Sequence, residues 1–490
     1  MKLEQSPIME ASLDPSDWAA MRALGHRMVD DMMTYLERVR DRPTWQPIPE
    51  RVKTALRAPL PIEPASPDAV YEEFRRDVLP YPLGNIHPRF WGWVIGTGTP
   101  FGALAEMLAA TMNSNVGGAE QIANYVELQV LDWCKEMLAY PRSASGLLVS
   151  GGSMANLVGL CVGRNAKAEV DLSQRGLQSA PRRMVLYAST ETHNSVRKAV
   201  GLLGLGRDAL REIAVDRAFR IDVAALEKAI AADRVAGHLP FCVVANAGTV
   251  NTGAIDDVAA LADLCEAEGL WFHVDGAFGA LAAISDRLRP LVAGMERADS
   301  LAFDLHKWMY MPFEVGCALV RHPERHREAF TVPADYLVHA DRGTAGGPHW
   351  FSDYGVQLSR NFRALKVWMS LKEHGAKKYA RMIEQNVEQA RYLADRIGAS
   401  PELELLAPVS LNIVCFRFVA PGLPDAALNR LNQELLYELQ ESGVAVPTST
   451  QLEGRFALRV ANVNHRSRRE DFDLLLREVL ERGRKLARER

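Results

Sequence analysis

Lys307 lies in the run Asp304-Leu-His306-Lys307-Trp308, directly after the apolar stretch Leu301-Ala-Phe303. A lysine among apolar residues can serve as a nucleophilic amine, because poor solvation favours its neutral form. A second segment, His273-Val-Asp275-Gly-Ala277, ends an apolar run in a carboxylate 32 residues before that lysine. Acids at the carboxyl end of a strand often face a ligand. A third, Ser150-Gly-Gly-Ser-Met-Ala-Asn156, stands between the apolar Leu147-Leu-Val149 and a helical run. Backbone N–H groups, a hydroxyl and the helix dipole at such a start suit a phosphate. The fourth, Glu191-Thr-His193-Asn-Ser195, follows the apolar run that ends at Tyr187. Each segment alone also has a plain structural reading, as a helix cap, a surface lysine or a core histidine.

Taken together and in this order, the four segments meet the needs of pyridoxal phosphate. Its phosphate needs a helix start and its aldehyde needs a lysine amine. Its pyridine nitrogen needs a carboxylate to stay protonated, and its ring needs a flat partner such as an imidazole.

These residues must be carried by a scaffold. Short β-rich runs at Met184–Tyr187, Phe241–Val244, Leu270–Val274 and Gly316–Val320 alternate with helical segments such as Asp222–Ala232 and Asp257–Ala267. That alternation predicts an α/β domain with a mostly parallel sheet, over residues 86–374. Residues 1–85 read as an arm. A helix is expected over 14–40, capped by Asp14 or Ser16, with Trp18, Met21, Met28, Met32, Tyr35, Leu36 and Val39 at helical spacing. Seven prolines in 43–67 predict an extended stretch, and a short helix is expected over 66–78. Residues 375–490 read as a small α+β domain. It holds a helix through Ile383–Ile397, a strand at Asn412–Phe416 and a last helix with Ser467 and Glu470 as a capping box.

On these motifs the chain resembles the pyridoxal-phosphate-dependent group II amino-acid decarboxylases, of the aromatic-L-amino-acid decarboxylase type. The resemblance spans nearly the whole chain. It is densest in Ile86–Phe90, Ser150–Leu157, Thr192–Val196, Asn246–Asp256, His273–Ala277, Asp304–Trp308 and Asp335-Tyr-Leu337. It implies the type I pyridoxal-phosphate fold, like that of aspartate aminotransferase. It also implies a homodimer with the active site at the interface, which suits an arm that wraps a partner. Lys307 corresponds to the lysine that carries the cofactor's aldehyde, Asp275 to the partner of the pyridine nitrogen, and His193 to the stacking histidine. Ala277 corresponds to the residue under the ring. Gly152, Ser153 and Thr249 correspond to positions near the phosphate, with His306 assisting, and Asp256 to an acid in the same pocket. Tyr336 corresponds to the proton-donating tyrosine of a mobile loop over 333–350. In related aldehyde synthases that tyrosine is typically phenylalanine, or the stacking histidine is changed. Both are present here, so the resemblance implies decarboxylation of an L-amino acid, aromatic by preference. Aldehyde synthase and aminotransferase are the alternatives. Two departures stand out: the stretch matching the substrate pocket is Trp93-Val94-Ile95-Gly96, and Asp304 stands where an asparagine is usual.

Composition agrees. The net charge of −4 excludes a globally basic nucleic-acid binder, and 48% hydrophobic with 24% charged residues is ordinary for a globular chain. The six cysteines have no disulfide-framework or zinc spacing, so no metal is expected. The longest uncharged runs, Ser143–Gly163 and Val235–Ile255, hold too many polar and helix-breaking residues to span a membrane. The start of the chain lacks the apolar stretch of a signal peptide, so a soluble cytoplasmic protein is expected.

Overall fold

The computed structural model describes residues 11–332, 340–347 and 349–489. Its larger sheet has seven strands: β1 (Ser145–Val149), β2 (Met184–Ser189), β3 (Leu210–Ile213), β4 (Leu239–Asn246), β5 (Trp271–Asp275), β6 (Ser300–Asp304) and β7 (Gly316–Val320). They lie in the order β1-β7-β6-β5-β4-β2-β3. β7 runs antiparallel to β1 and β6, and β3, β2, β4, β5 and β6 are mutually parallel. This is the α/β, mostly parallel sheet expected. Its inner strands are buried along their whole length, which is why they read as continuous apolar runs rather than alternating ones. Asp222 and Asp257 cap the helices Val223–Val235 and Val258–Glu268 by accepting from the N–H groups of Ala225 and Ala260.

Register aligns the strand ends that matter. Asn246 pairs with Asp275, Asp275 with Ala302, and Asp304 with Gly316. The helix Gly152–Lys167 crosses this sheet with a narrow stripe toward it. A Cβ on Gly159 would lie 2.8 Å from the His273 ring, and one on Gly163 would lie 2.6 Å from Trp271. Glycine is therefore what allows this helix to sit so close to β5.

The second sheet is antiparallel, with β8 (Leu403–Leu405), β9 (Ile413–Phe418), β10 (Thr448–Leu452) and β11 (Arg455–Ala461) in the order β10-β11-β9-β8. With the helices Ala376–Gly398, Asp425–Glu441 and Arg469–Arg488 it encloses its own core around Leu393, Phe416, Leu435, Phe472 and Val479.

Three local expectations are corrected. The first helix runs Trp18–Glu37, and its cap is Asp17, whose carboxylate accepts from Ala19 and Ala20, rather than Asp14 or Ser16. The proline-rich stretch is interrupted by a short helix, Glu50–Ala55, which starts directly after Pro49 and buries Val52. At the last helix, Asp471 accepts from the N–H of Arg468. Ser467 does not cap; it donates to the Pro88 carbonyl and accepts from the Trp91 indole. Trp91 also stacks on Phe472, and Arg40 pairs with Asp471, so the chain following the first helix is tied to the C-terminal unit.

His273 and His326 are wholly buried, and burial pushes both from the usual 6.5 down to about 3. The unfolded chain takes up protons on them below pH 6.5 that the folded chain refuses. Their contribution is therefore fully present above pH 6.5 and is lost as pH falls toward 3, at roughly 1.4 kcal/mol per pH unit for each. The thermal midpoint should fall between pH 7 and 5, and His326→Gln should make that fall shallower. Equal slopes would contradict the assignment.

Candidate active site

The site forms where β5, β6 and the Gly152–Lys167 helix converge. Asp275 ends β5 and Asp304 ends β6, which turns at once into Leu305–Trp308 carrying His306 and Lys307. The Lys307 ammonium lies 2.8 Å from Asp304 Oδ2. Asp304 is almost completely buried, and its Oδ1 has no hydrogen-bond partner. His306 Nδ1 accepts from the Val315 N–H, which leaves the proton on Nε2, and burial pushes this imidazole down to about 4. Its ring packs against Phe313 at 4.4 Å.

Gly152 opens its helix beside these groups. The preceding residue is Gly151, so no side chain caps the helix, and Ser153 is exposed in its first turn. A Cβ on Gly152 would lie 2.8 Å from Asp304 Oδ2 and 3.6 Å from the Ala277 methyl. A Cβ on Gly316 would lie 2.6 Å from the Gly151 Cα. Only glycines leave this cradle open.

His193 caps the helix Asn194–Leu202, its Nδ1 accepting from the Ser195 N–H. Burial lowers its pKa, opposed by Asp275 and reinforced by Lys307, so all three act on one another. Asp275 accepts from the Ala277 N–H at 3.1 Å and from the Asn156 amide at 2.8 Å. Two such donors complement a carboxylate and fix its orientation. The segment after Trp93 closes one side: Gly96 packs against the His306 and Lys307 carbonyls. Trp93 is half exposed, Val94 is buried and Ile95 is partly covered.

Two further expected residues, Thr249 and Asp256, follow β4. Thr249 is buried in the turn after β4, its hydroxyl bonded to Thr252 and to the Ala254 N–H. Both oxygens of Asp256 are taken, by the N–H groups of Ile221 and Asn246, so this acid braces the end of β4. Burial raises its pKa despite those donors. Tyr336 lies outside the described residues. Among these, no group of three His, Cys, Asp or Glu side chains could hold a metal ion, and no helix is long and apolar enough to cross a membrane.

A model of the pyridoxal-dependent decarboxylase conserved domain matches residues 49–419. The chain belongs to this family. It is a carboxy-lyase that works with pyridoxal phosphate. It is 34% identical to the aromatic-L-amino-acid decarboxylase of Bacillus atrophaeus, over 92% of this chain and 93% of that one. It is 28% identical to a phenylacetaldehyde synthase of Arabidopsis thaliana, over 92% and 93%. The crystal structure of Oryza sativa TDC with PLP and tryptamine superposes with a TM-score of 0.89 at 27% identity, covering 97% of this chain and all of that one. The residues present fit the cofactor. An uncapped helix start opens onto a glycine-lined cradle, and a lysine amine and a doubly bonded carboxylate stand beside it.

Proposed function

We propose that this enzyme converts an aromatic L-amino acid to its amine and carbon dioxide, with Lys307, Asp275 and His193 as its central residues. The observation that supports this most is the meeting of those three side chains with the Gly152 helix start at the ends of neighbouring strands. The substrate class rests on the relatives, and Trp93, half exposed three residues before Gly96, is an aromatic side chain available to it.

When bound, pyridoxal phosphate supplies a protonated ring that accepts the electron pair left behind by departing carbon dioxide. The chain's own groups do the rest. The N–H groups and hydroxyl at Gly152 and Ser153 hold the phosphate, with His306 beside them. Lys307 would supply the amine that holds the cofactor. Asp275 keeps a negative charge at the ring nitrogen, and His193 holds the ring plane. Trp93, Val94 and Ile95 orient the substrate side chain. Tyr336 delivers a proton to the substrate α-carbon, the step that makes an amine rather than an aldehyde.

That last role separates this reading from the aldehyde-forming one suggested by the phenylacetaldehyde synthase. Tyr336→Phe should lose amine production on the order of 10²- to 10⁴-fold, the span of a general acid, and in the presence of dioxygen, the oxidant, gain aldehyde, ammonia and peroxide. Amine at the wild-type rate would overturn the assignment.

A cytoplasmic homodimer completes the reading. Trp18, Met21 and Met28 on the first helix, and Met107, Leu108 and Met112 on the helix Pro100–Met112, are large apolar side chains left exposed by a single chain. The six cysteines are free and buried. Sedimentation should give twice the 54.3 kDa chain mass, and a monomer would contradict it.

A further inference from the structure

The buried face of the Gly152–Lys167 helix is a stripe of Gly152, Asn156, Gly159 and Gly163, in which Asn156 is the polar member, 1% exposed. It sits among six groups whose hydrogen bonds have one consistent order. Asn156 Nδ2 is 2.8 Å from Asp275 Oδ2 and 3.0 Å from Ser195 Oγ. A carboxylate oxygen only accepts, so the amide must turn its NH₂ toward Asp275 and its oxygen toward His273 Nε2, 2.9 Å away. His273 therefore carries its proton on Nε2, and its Nδ1 accepts from the Ser300 hydroxyl at 2.8 Å. The Ser300 oxygen in turn accepts from the Trp271 indole, which can only donate. On the other branch, His193 Nδ1 already accepts from a backbone N–H. The Ser195 hydroxyl, 2.8 Å from that nitrogen, donates to it and accepts from Asn156.

We infer that Asn156 is a positioning residue that sets both cofactor-facing groups at once, aiming Asp275 through one amide hydrogen and His193, by way of Ser195, through the other. The locked His273–Ser300–Trp271 chain fixes which way the amide faces. A buried imidazole with two satisfied nitrogens is well suited to that task, since it cannot swap its donor and acceptor sides without breaking both bonds. The role rests on the cofactor reading above, in which Asp275 and His193 meet the ring.

The test is binding of pyridoxal phosphate to the full-length apo-protein, measured by fluorescence quenching from pH 6 to 9, with melting of each apo-variant as a folding control. Asn156→Leu keeps the branched side-chain shape, with somewhat more bulk, and removes both donors. It should bind the cofactor on the order of 10- to 100-fold more weakly, as expected for losing a hydrogen bond to a charged group. Asn156→Asp keeps the shape and reverses the sense of the bond, placing an oxygen against Asp275, with His273 and His193 as the other titratable groups facing it. A proton shared between the two carboxyls restores the bond at low pH. The ratio of its affinity to that of the wild type should therefore fall as pH rises. A packing role predicts a ratio that does not move with pH. Wild-type binding by Asn156→Leu, or a pH-independent ratio for Asn156→Asp, overturns the positioning role and leaves the cofactor reading intact. If Asn156→Leu does not fold, the Asn156→Asp ratio decides alone. No binding by the wild type itself overturns both.

Discussion

Lys307→Arg should abolish amine formation, at least about 10³-fold, while leaving the apo-protein as stable as the wild type. The substitution separates two things the lysine does. Its charge neutralises Asp304, a buried acid that already has one oxygen without a partner. In the proposed reading its amine is also the nucleophile. Arginine keeps the charge but stays protonated at any working pH and cannot supply the amine. Lys307→Ala removes both. It leaves the Asp304 carboxylate buried and unpaired, a defect of about 3–5 kcal/mol, so this variant should also melt earlier. Reduction with borohydride gives a direct readout: in the wild type the cofactor's mass should become fixed to the peptide bearing Lys307, and in Lys307→Arg it should not. A mark on another lysine would reassign the nucleophile.

Asp275→Asn is the second large effect. The substituted amide can still accept from the Ala277 N–H, but its NH₂ then faces the NH₂ of Asn156, donor against donor at 2.8 Å. In the proposed reading the ring nitrogen would also lose its negative partner, and with it the charge that keeps the ring a strong electron acceptor. Removing one oriented electrostatic group of this kind costs about 10²- to 10³-fold in turnover. The loss should appear in kcat at saturating cofactor. An unchanged kcat would mean that Asp275 serves only to hold β5 in place. In that case a second carboxylate must be sought at the ring nitrogen.

Much of this was legible in the sequence because the decisive residues stand at element boundaries. Asp275 and Asp304 each end an apolar run that becomes a buried strand, and Gly152 begins a helix right after one. Those transitions are local, so pattern alone marks them. Partnerships across the sheet are not local. Asn156 meets Asp275 across 119 residues and His273 across 117, and nothing in helical periodicity separates it from an ordinary buried asparagine. The available signal was its place in a glycine stripe, which forces the helix against β5. Asp256 shows the converse. It sits in a segment dense with resemblance, yet both its oxygens are spent on backbone N–H groups. Caps were misplaced for a similar reason. Asp14, Ser16 and Asp17 are all competent caps by residue type, and residue type does not choose among them; the helix starts at Trp18, which leaves Asp17 at the capping position. Ser467 is drawn away by Trp91 and Pro88, residues nearly 380 positions distant.

One measurement bears on the reaction itself. The cofactor-loaded wild type should be given a panel of L-amino acids, with tyrosine, tryptophan, phenylalanine, histidine and glutamate included. Carbon dioxide, amine and peroxide should be followed together in each reaction. Carbon dioxide and amine in equal amounts from an aromatic amino acid, without peroxide, is the expected result. A keto acid without carbon dioxide, or aldehyde and peroxide in place of amine, would contradict decarboxylation to the amine.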